Sequence, residues 1–255
     1  MTYVFLLMIG VVVGLIGASM GIGGGLLIVP IFLHVMGFSV QQTVGTAMVI
    51  VFFNAASATA AYMRQGCIHY GTVWRFGLMA IPGAMLGSWL SDYVGGALFE
   101  IIFGLFLLVV AFNMLRRRGT NPELTAADIT VSLTRGRKAM GMAVSGVVGV
   151  ISTVLGIGGG IVYVPFMSQV EHFPIRLAIG TSSGILLVSS AAGLAAHGVL
   201  GHVLWIEAIV TGIGAFLGAQ SGALITQRLA PGNLRAAFSL LVFSIGVKFL
   251  FEALA

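Results

Sequence analysis

Charge is the scarcest commodity in this sequence. Asp, Glu, Lys and Arg together make up 7% of its 255 residues, against roughly 25% in soluble domains, too few to clothe a folded surface in water. Cysteine occurs once, at Cys67, which excludes an internal disulfide framework and a cysteine-based metal cluster. The strict alternation of a lipid-facing barrel strand is missing, so spanning elements must be helices. A basic region ahead of the first apolar run is also missing. The opening "MTYVFLLMIG" therefore reads as part of the structure and not as a secretory leader.

What fills the space is apolar. Hydrophobic residues make up 58% of the chain, and the mean hydropathy is +1.10. Runs over residues 3–18, 44–62, 94–115 and 234–254 approach or exceed the length of about 18 residues that marks a candidate crossing. The expected fold is an all-α polytopic membrane protein. A net charge of +5 and a pI near 9.9 do not imply a nucleic-acid partner, because the basic residues sit beside apolar spans, where membrane topology explains them.

Glycine is abundant, and its placement is informative. "MGIGGGLLIVPIF" occupies residues 20–32 and "LGIGGGIVYVPFM" residues 155–167. An offset of 135 positions superposes Gly21 on Gly156, Pro30 on Pro165, and the pair Gly45-Thr46 on Gly180-Thr181. An offset of 131 brings Trp74 onto Trp205 and "GAMLG" at 83–87 onto "GAFLG" at 214–218. The chain therefore reads as a duplicated unit, common among transporters: a first membrane repeat over 1–115, a polar linker over 116–138, and a second repeat over 139–255. Spans are expected at 3–19, 24–36, 40–63, 72–92 and 96–115, then at 139–154, 159–170, 175–197, 203–227 and 234–254, giving about 8–10 helical spans. The second piece of each half is too short for a secure crossing, and sequence leaves open whether it crosses or re-enters.

The positive-inside rule sets the orientation. With the linker in the cytoplasm and the two repeats of inverted topology, Arg64, Arg176, Arg228 and Arg235 also fall on the cytoplasmic side, and both termini lie outside it.

Non-helical backbone survives in a membrane only when packed in protein or lining a wet cavity. Where a helix resumes after a break, its first N–H groups and the positive end of its dipole form a ready anion site. Gly23, Gly24 and Gly25, with Gly158, Gly159 and Gly160, are the candidate backbone donors, and Pro30 and Pro165 fix the adjoining helices. Tight helix packing is the competing role for the same glycines. A dinucleotide fingerprint fails, because Leu26 and Ile161 stand where its last glycine belongs. No cofactor and no metal site is implied.

Thr46, Asn54, Thr181 and Ser182 supply neutral donors able to hold an oxyanion, with interhelical hydrogen bonding as their alternative role. Glu207, Lys248 and His197 are the candidates for coupling transport to protons, as ionisable groups within or at the ends of spans. Ser19 and His197 stand in the chain order of a rhomboid-like protease dyad, but the flanking glycines do not match, so no enzyme is expected.

With two glycine-rich, proline-terminated breaks, a Gly-Thr pair after each and a polar central linker, the whole chain resembles the TauE/SafE family of bacterial membrane proteins, most specifically in "GIGGGLLIVP" and "GIGGGIVYVP". The resemblance implies export of sulfite and of sulfonates such as sulfoacetate from the bacterial cell, across the inner membrane. Proton-coupled uptake of a sulfonate or another small organic anion is the alternative. The partners expected are a small anionic substrate and the lipid bilayer, with a homodimer left open.

Overall fold

The computed structural model describes residues 2–116, 135–226, 240 and 242–251. Most of the linker, Arg228, Arg235 and the ends of the last expected span lie outside the described residues. The described chain is helical without a strand: α1 (Thr2–Met20), α2 (Gly25–Pro30), α3 (Val40–Arg64), α4 (Tyr70–Leu90), α5 (Gly96–Arg116), α6 (Arg135–Leu155), α7 (Gly160–Gln169), α8 (Ile175–Val199) and α9 (Trp205–Ile225), then α10 (Val242–Phe251). Four of these, α1, α3, α8 and α9, are long and apolar enough to cross a membrane. The protein is an all-α polytopic membrane protein.

Local chemistry explains the boundaries. Ser39 opens α3 with a capping box, its Oγ accepting from the Gln42 N–H at 3.3 Å while Gln42 Oε1 accepts from the Ser39 N–H at 3.2 Å, which satisfies two donors that the first turn would leave bare. At Pro30 the missing N–H removes one helical bond, and the helix widens into a single π turn over Ile31–Val35. Together α2 and this turn run for 11 residues, Gly25–Val35, and α7 for 10. At 1.5 Å per residue each reaches about half of a hydrocarbon core, so neither crosses it.

Two helices occupy the centre. Most of α3 and α8 is buried inside the protein, and they run antiparallel: Gly45 near the start of α3 lies against His202 just beyond α8, while Gly180 near the start of α8 lies against Cys67 just beyond α3. Around them α1 lies parallel to α9. A methyl group on Gly10, Gly14, Gly214, Gly218 or Gly222 would strike the backbone of the facing helix. The same device joins α4 to α6 through Gly83, Gly87 and Gly149. Small residues let helix backbones approach where lipid supplies no hydrophobic drive for association. The tryptophans Trp74, Trp89 and Trp205 are exposed.

The offset of 135 between helix bounds holds for α4 and α9, which begin at Tyr70 and Trp205 and end at Leu90 and Ile225. Helix contacts repeat at that spacing too, since Gly87 faces the Val150 carbonyl and Gly222 the Leu15 carbonyl. The sequence match at an offset of 131, with Trp74 on Trp205, is therefore about one helical turn out of register. Gly214, Gly218 and Gly222 recur every four residues in α9, so the pair Gly83 and Gly87 of α4 matches them in either register.

Candidate functional site

Both glycine runs leave the helix in the same way. Gly21, Gly23 and Gly24 have φ values of 69°, 87° and 80°, and Gly156, Gly158 and Gly159 values of 70°, 83° and 82°. This is the left-handed region, which a side chain makes costly. Before the first break, the Gly17 carbonyl accepts from the Ile22 N–H at 2.9 Å, and before the second the Ser152 carbonyl accepts from the Ile157 N–H at 2.9 Å. After it, the Gly24 carbonyl accepts from Leu27 at 3.1 Å, and the Gly159 carbonyl from Val162 at 3.0 Å. Among the described residues, no backbone carbonyl accepts from the N–H of Gly25, Leu26, Gly160 or Ile161, the first donors of the resumed helices.

The two breaks, far apart in sequence, touch. A Cβ on Gly25 would strike the Gly156 carbonyl, and one on Gly160 the Gly21 carbonyl. Hydrogen there is what permits the contact. Over the junction sit Val51 of α3 and Leu186 of α8, whose methyl groups border both Gly23 and Gly158. Beside Gly159 lies a cavity of about 10 Å³, room for no more than one water molecule. The counterpart beside Gly24 is smaller still. This conformation is closed around the breaks.

The residues expected at the site fall into two groups. Gly23 to Gly25, Gly158 to Gly160, Ser182 and Asn54 gather at the crossing. Ser182 Oγ donates to the Gly21 carbonyl at 2.9 Å. Asn54, 1% exposed, donates through Nδ2 to the Gly14 carbonyl at 3.2 Å and presses against Gly17 and Gly24. Its Oδ1 is buried without a hydrogen-bond partner, a costly arrangement unless something else meets it. Pro30 and Pro165 lie farther along the resumed helices, both partly buried.

Thr46 and Thr181 are engaged elsewhere. Thr46 Oγ1 accepts from the Leu204 N–H at 3.1 Å and Thr181 Oγ1 from the His69 N–H at 3.0 Å. Each ties a central helix to a loop at the end of the other. Glu207 is partly buried in the first turn of α9, and Lys248 is exposed on α10. His197 is fully buried at the end of α8, its nitrogens facing His202 and the Thr153 carbonyl. Ser19 Oγ donates to its own helix at Ile16, so Ser19 and His197 form no dyad. Among the described residues, no three His, Cys, Asp or Glu side chains converge to hold a metal ion.

Sequence reasoning missed Val51 and Leu186, which an apolar span hides, and the link from His202 to Asp92. The first pair had a signal: Val51 and Leu186 are themselves 135 residues apart, so each half contributes the same position to the cover.

A family model described as sulfite exporter TauE/SafE matches residues 6–249. Among curated proteins, the chain is 28% identical to the probable membrane transporter protein YunE of Bacillus subtilis (strain 168), over 100% of this chain and 99% of that one. It is 30% identical to a probable membrane transporter protein of Xylella fastidiosa (strain Temecula1), covering 95% of this chain and 94% of the relative. To the probable membrane transporter protein MJ0441 of Methanocaldococcus jannaschii it is 25% identical, covering 95% and 93%. No solved structure matches.

Proposed function

Given that this chain belongs to the sulfite exporter TauE/SafE family and is a multi-pass membrane transporter, we propose that it exports small sulfur-containing oxyanions, sulfite and sulfonates, from the cell. Two repeats of inverted topology move around a site at the crossing of the glycine breaks. The contact of Gly25 with the Gly156 carbonyl, reciprocated by Gly160 and Gly21, carries this reading. It brings two sets of helix-starting N–H donors together in the protein interior, where an anion is held by dipoles without a buried cation. The antiparallel run of α3 and α8, which occupy corresponding places in the two halves, supports the inverted relationship.

In this reading Gly24, Gly25 and Gly158–Gly160 supply backbone donors, Asn54 orients the anion through the second hydrogen of its Nδ2, and Gly23 and Ser182, whose protons go to the Gly17 and Gly21 carbonyls, hold the first break in shape. Thr46 and Thr181 hold the loops that move, while Pro30 and Pro165 stiffen the resumed helices. The Val51–Leu186 pair is the apolar cover that parts when an anion enters. Export needs no coupling ion, because a cell interior held negative expels each negative charge with about 2.3 kcal/mol per 100 mV.

The test is flux from liposomes containing the purified protein. Sulfite and sulfonates should leave, and Leu186→Ala, which thins the cover, should speed their exit. Failure of both anions to move while another solute moves readily overturns the substrate assignment.

A further inference from the structure

At one end of α8 three titratable side chains form a line. Asp92 Oδ1 lies 2.9 Å from His202 Nε2, His202 Nδ1 lies 2.9 Å from His197 Nδ1, and His197 Nε2 faces the Thr153 carbonyl at 3.4 Å. The line runs inward from a carboxylate side chain 39% exposed, through an imidazole 12% exposed, to one with no exposure. It ends at Thr153, three residues before the second glycine break. We propose that Asp92, His202 and His197 are a proton relay that loads a proton from the non-cytoplasmic side and ties the closed state of that side to its occupancy.

The stoichiometry follows from the donors and acceptors. Three contacts link four groups, so three shared protons are needed; with two, one contact sets lone pair against lone pair. In one complete arrangement Asp92 is ionised, His202 carries its proton on Nε2, and His197 carries protons on both nitrogens. In a second, the proton between the rings has passed to Nδ1 of His202, which becomes the imidazolium beside the Asp92 carboxylate; in a third, the Nε2 proton of His202 has gone on to Asp92. In both of these His197 keeps only the Nε2 proton that it gives to the Thr153 carbonyl. All three arrangements hold three protons and are neutral overall. Exchanging them shifts one positive charge along the line between the buried ring and the exposed carboxylate. Removing a proton leaves the array with one negative charge and breaks a contact, which loosens α8 from the end of α6.

The surroundings leave these groups as the titrating set. Among the described residues, the titratable groups acting on His197 are His202 and Asp92. From α3, Gly45 packs on His202 and Thr46 binds Leu204; from α6 comes Thr153; from α9, the Trp205 ring lies beside Gly198. The Gln41 amide donates to the Ser91 carbonyl next to Asp92 at 3.4 Å. None of these α3, α6 and α9 groups ionises in the range where histidine does.

The opposite end of the protein lacks the device. At the offset of 135, Tyr62 takes the place of His197, Cys67 that of His202 and Ala18 that of Thr153. Tyr62 donates its hydroxyl proton to the Ala18 carbonyl at 3.0 Å. The corresponding contact is kept, but its proton is one that a phenol does not release near neutral pH. A relay at one end only gives the two faces different responses to pH.

The inference rests on the transporter reading for its coupling role, and on geometry alone for the relay. It is tested by nitrogen NMR of the full-length protein, ¹⁵N-labelled at histidine, in lipid nanodiscs. Scanned from about pH 8 down to about pH 4, His197 and His202 should give coupled curves, and Asp92→Asn, which still accepts from His202 but takes no proton, should displace both. Independent single-site curves in the parent protein, or curves unmoved by Asp92→Asn, overturn the relay. In liposomes, efflux of methanesulfonate, whose charge is constant over this range, should vary several-fold with external pH in the parent and be flat in Asp92→Asn and His197→Gln. A parent profile retained by both variants overturns the coupling role. Coupled ring titration without flux of methanesulfonate or sulfite would sustain the relay and sink the substrate assignment.

Discussion

The hydroxyl of Thr46 on α3 accepts a hydrogen bond from the backbone N–H of Leu204, 3.1 Å away in the loop that follows α8 in the other half of the chain. Thr181 repeats the relationship with His69 at 3.0 Å. Both threonines are fully buried, so each satisfies a loop donor that no water replaces. Thr46→Val or Thr181→Val should cost about 1–3 kcal/mol through an orphaned N–H, while serine at either place should cost much less. Thermal unfolding of the detergent-solubilised protein measures the difference; equal loss for serine and valine would assign the threonines to packing.

Gly25 and Gly160 make the sharpest steric prediction. Each abuts a carbonyl of the other break, and backbone cannot yield as a flexible side chain can. Gly25→Ala and Gly160→Ala should each destabilise by at least the 1–3 kcal/mol typical of overpacking, read as a lowered midpoint of thermal unfolding. Gly95→Ala, with nothing within 4 Å of a new Cβ, should leave the midpoint nearly unchanged. Wild-type stability of Gly25→Ala would mean that the breaks do not touch.

His69 caps α4, its Nδ1 accepting from the Thr72 N–H at 3.2 Å. Burial, and then the nearby Arg75, hold its pKa below the usual histidine value. The folded state thus binds this proton less readily than the unfolded one, so the contribution is present above about pH 6.5 and is lost as the pH falls through the depressed value. Protonation also turns the capping acceptor into a donor. His69→Asn keeps a capping oxygen and should flatten the acid side of the stability profile relative to the parent. A parallel acid limb in both proteins would remove His69 as its source.

Cys67 is the one cysteine of the chain and lies between α3 and α4, so it reports orientation without engineering. With Arg64 close by and the positive-inside arrangement, an impermeant maleimide should label it in inside-out vesicles and not in intact cells. Labelling should be slow near neutral pH, because burial pushes the thiol pKa up and only the thiolate reacts. Labelling from the outer face would invert the proposed topology.

Much of this architecture is legible in one dimension. The membrane class follows from the scarcity of charge, since a chain with so few ionisable side chains has no other medium to face. The breaks follow from the dihedral needs of Gly24 and Gly159, which are properties of single residues and their neighbours. Helix bounds, the capping box at Ser39 and the offset of 135 are local in the same sense.

What tertiary structure alone decided is which faces meet. Nothing within residues 21–25 says that Gly25 will lie on the Gly156 carbonyl, or that Val51 and Leu186, two among many apolar residues, will cover the crossing. Thr46 and Thr181 look like ligand groups in a sequence, yet loop donors from the other half occupy them. His197 draws its meaning from His202 and Asp92, which reach it from a loop and from the far end of α4. Apolar periodicity and backbone preference are encoded over a few residues. The rotation and pairing of α3 and α8, which set every one of these contacts, are fixed by steric fit between helices distant along the chain.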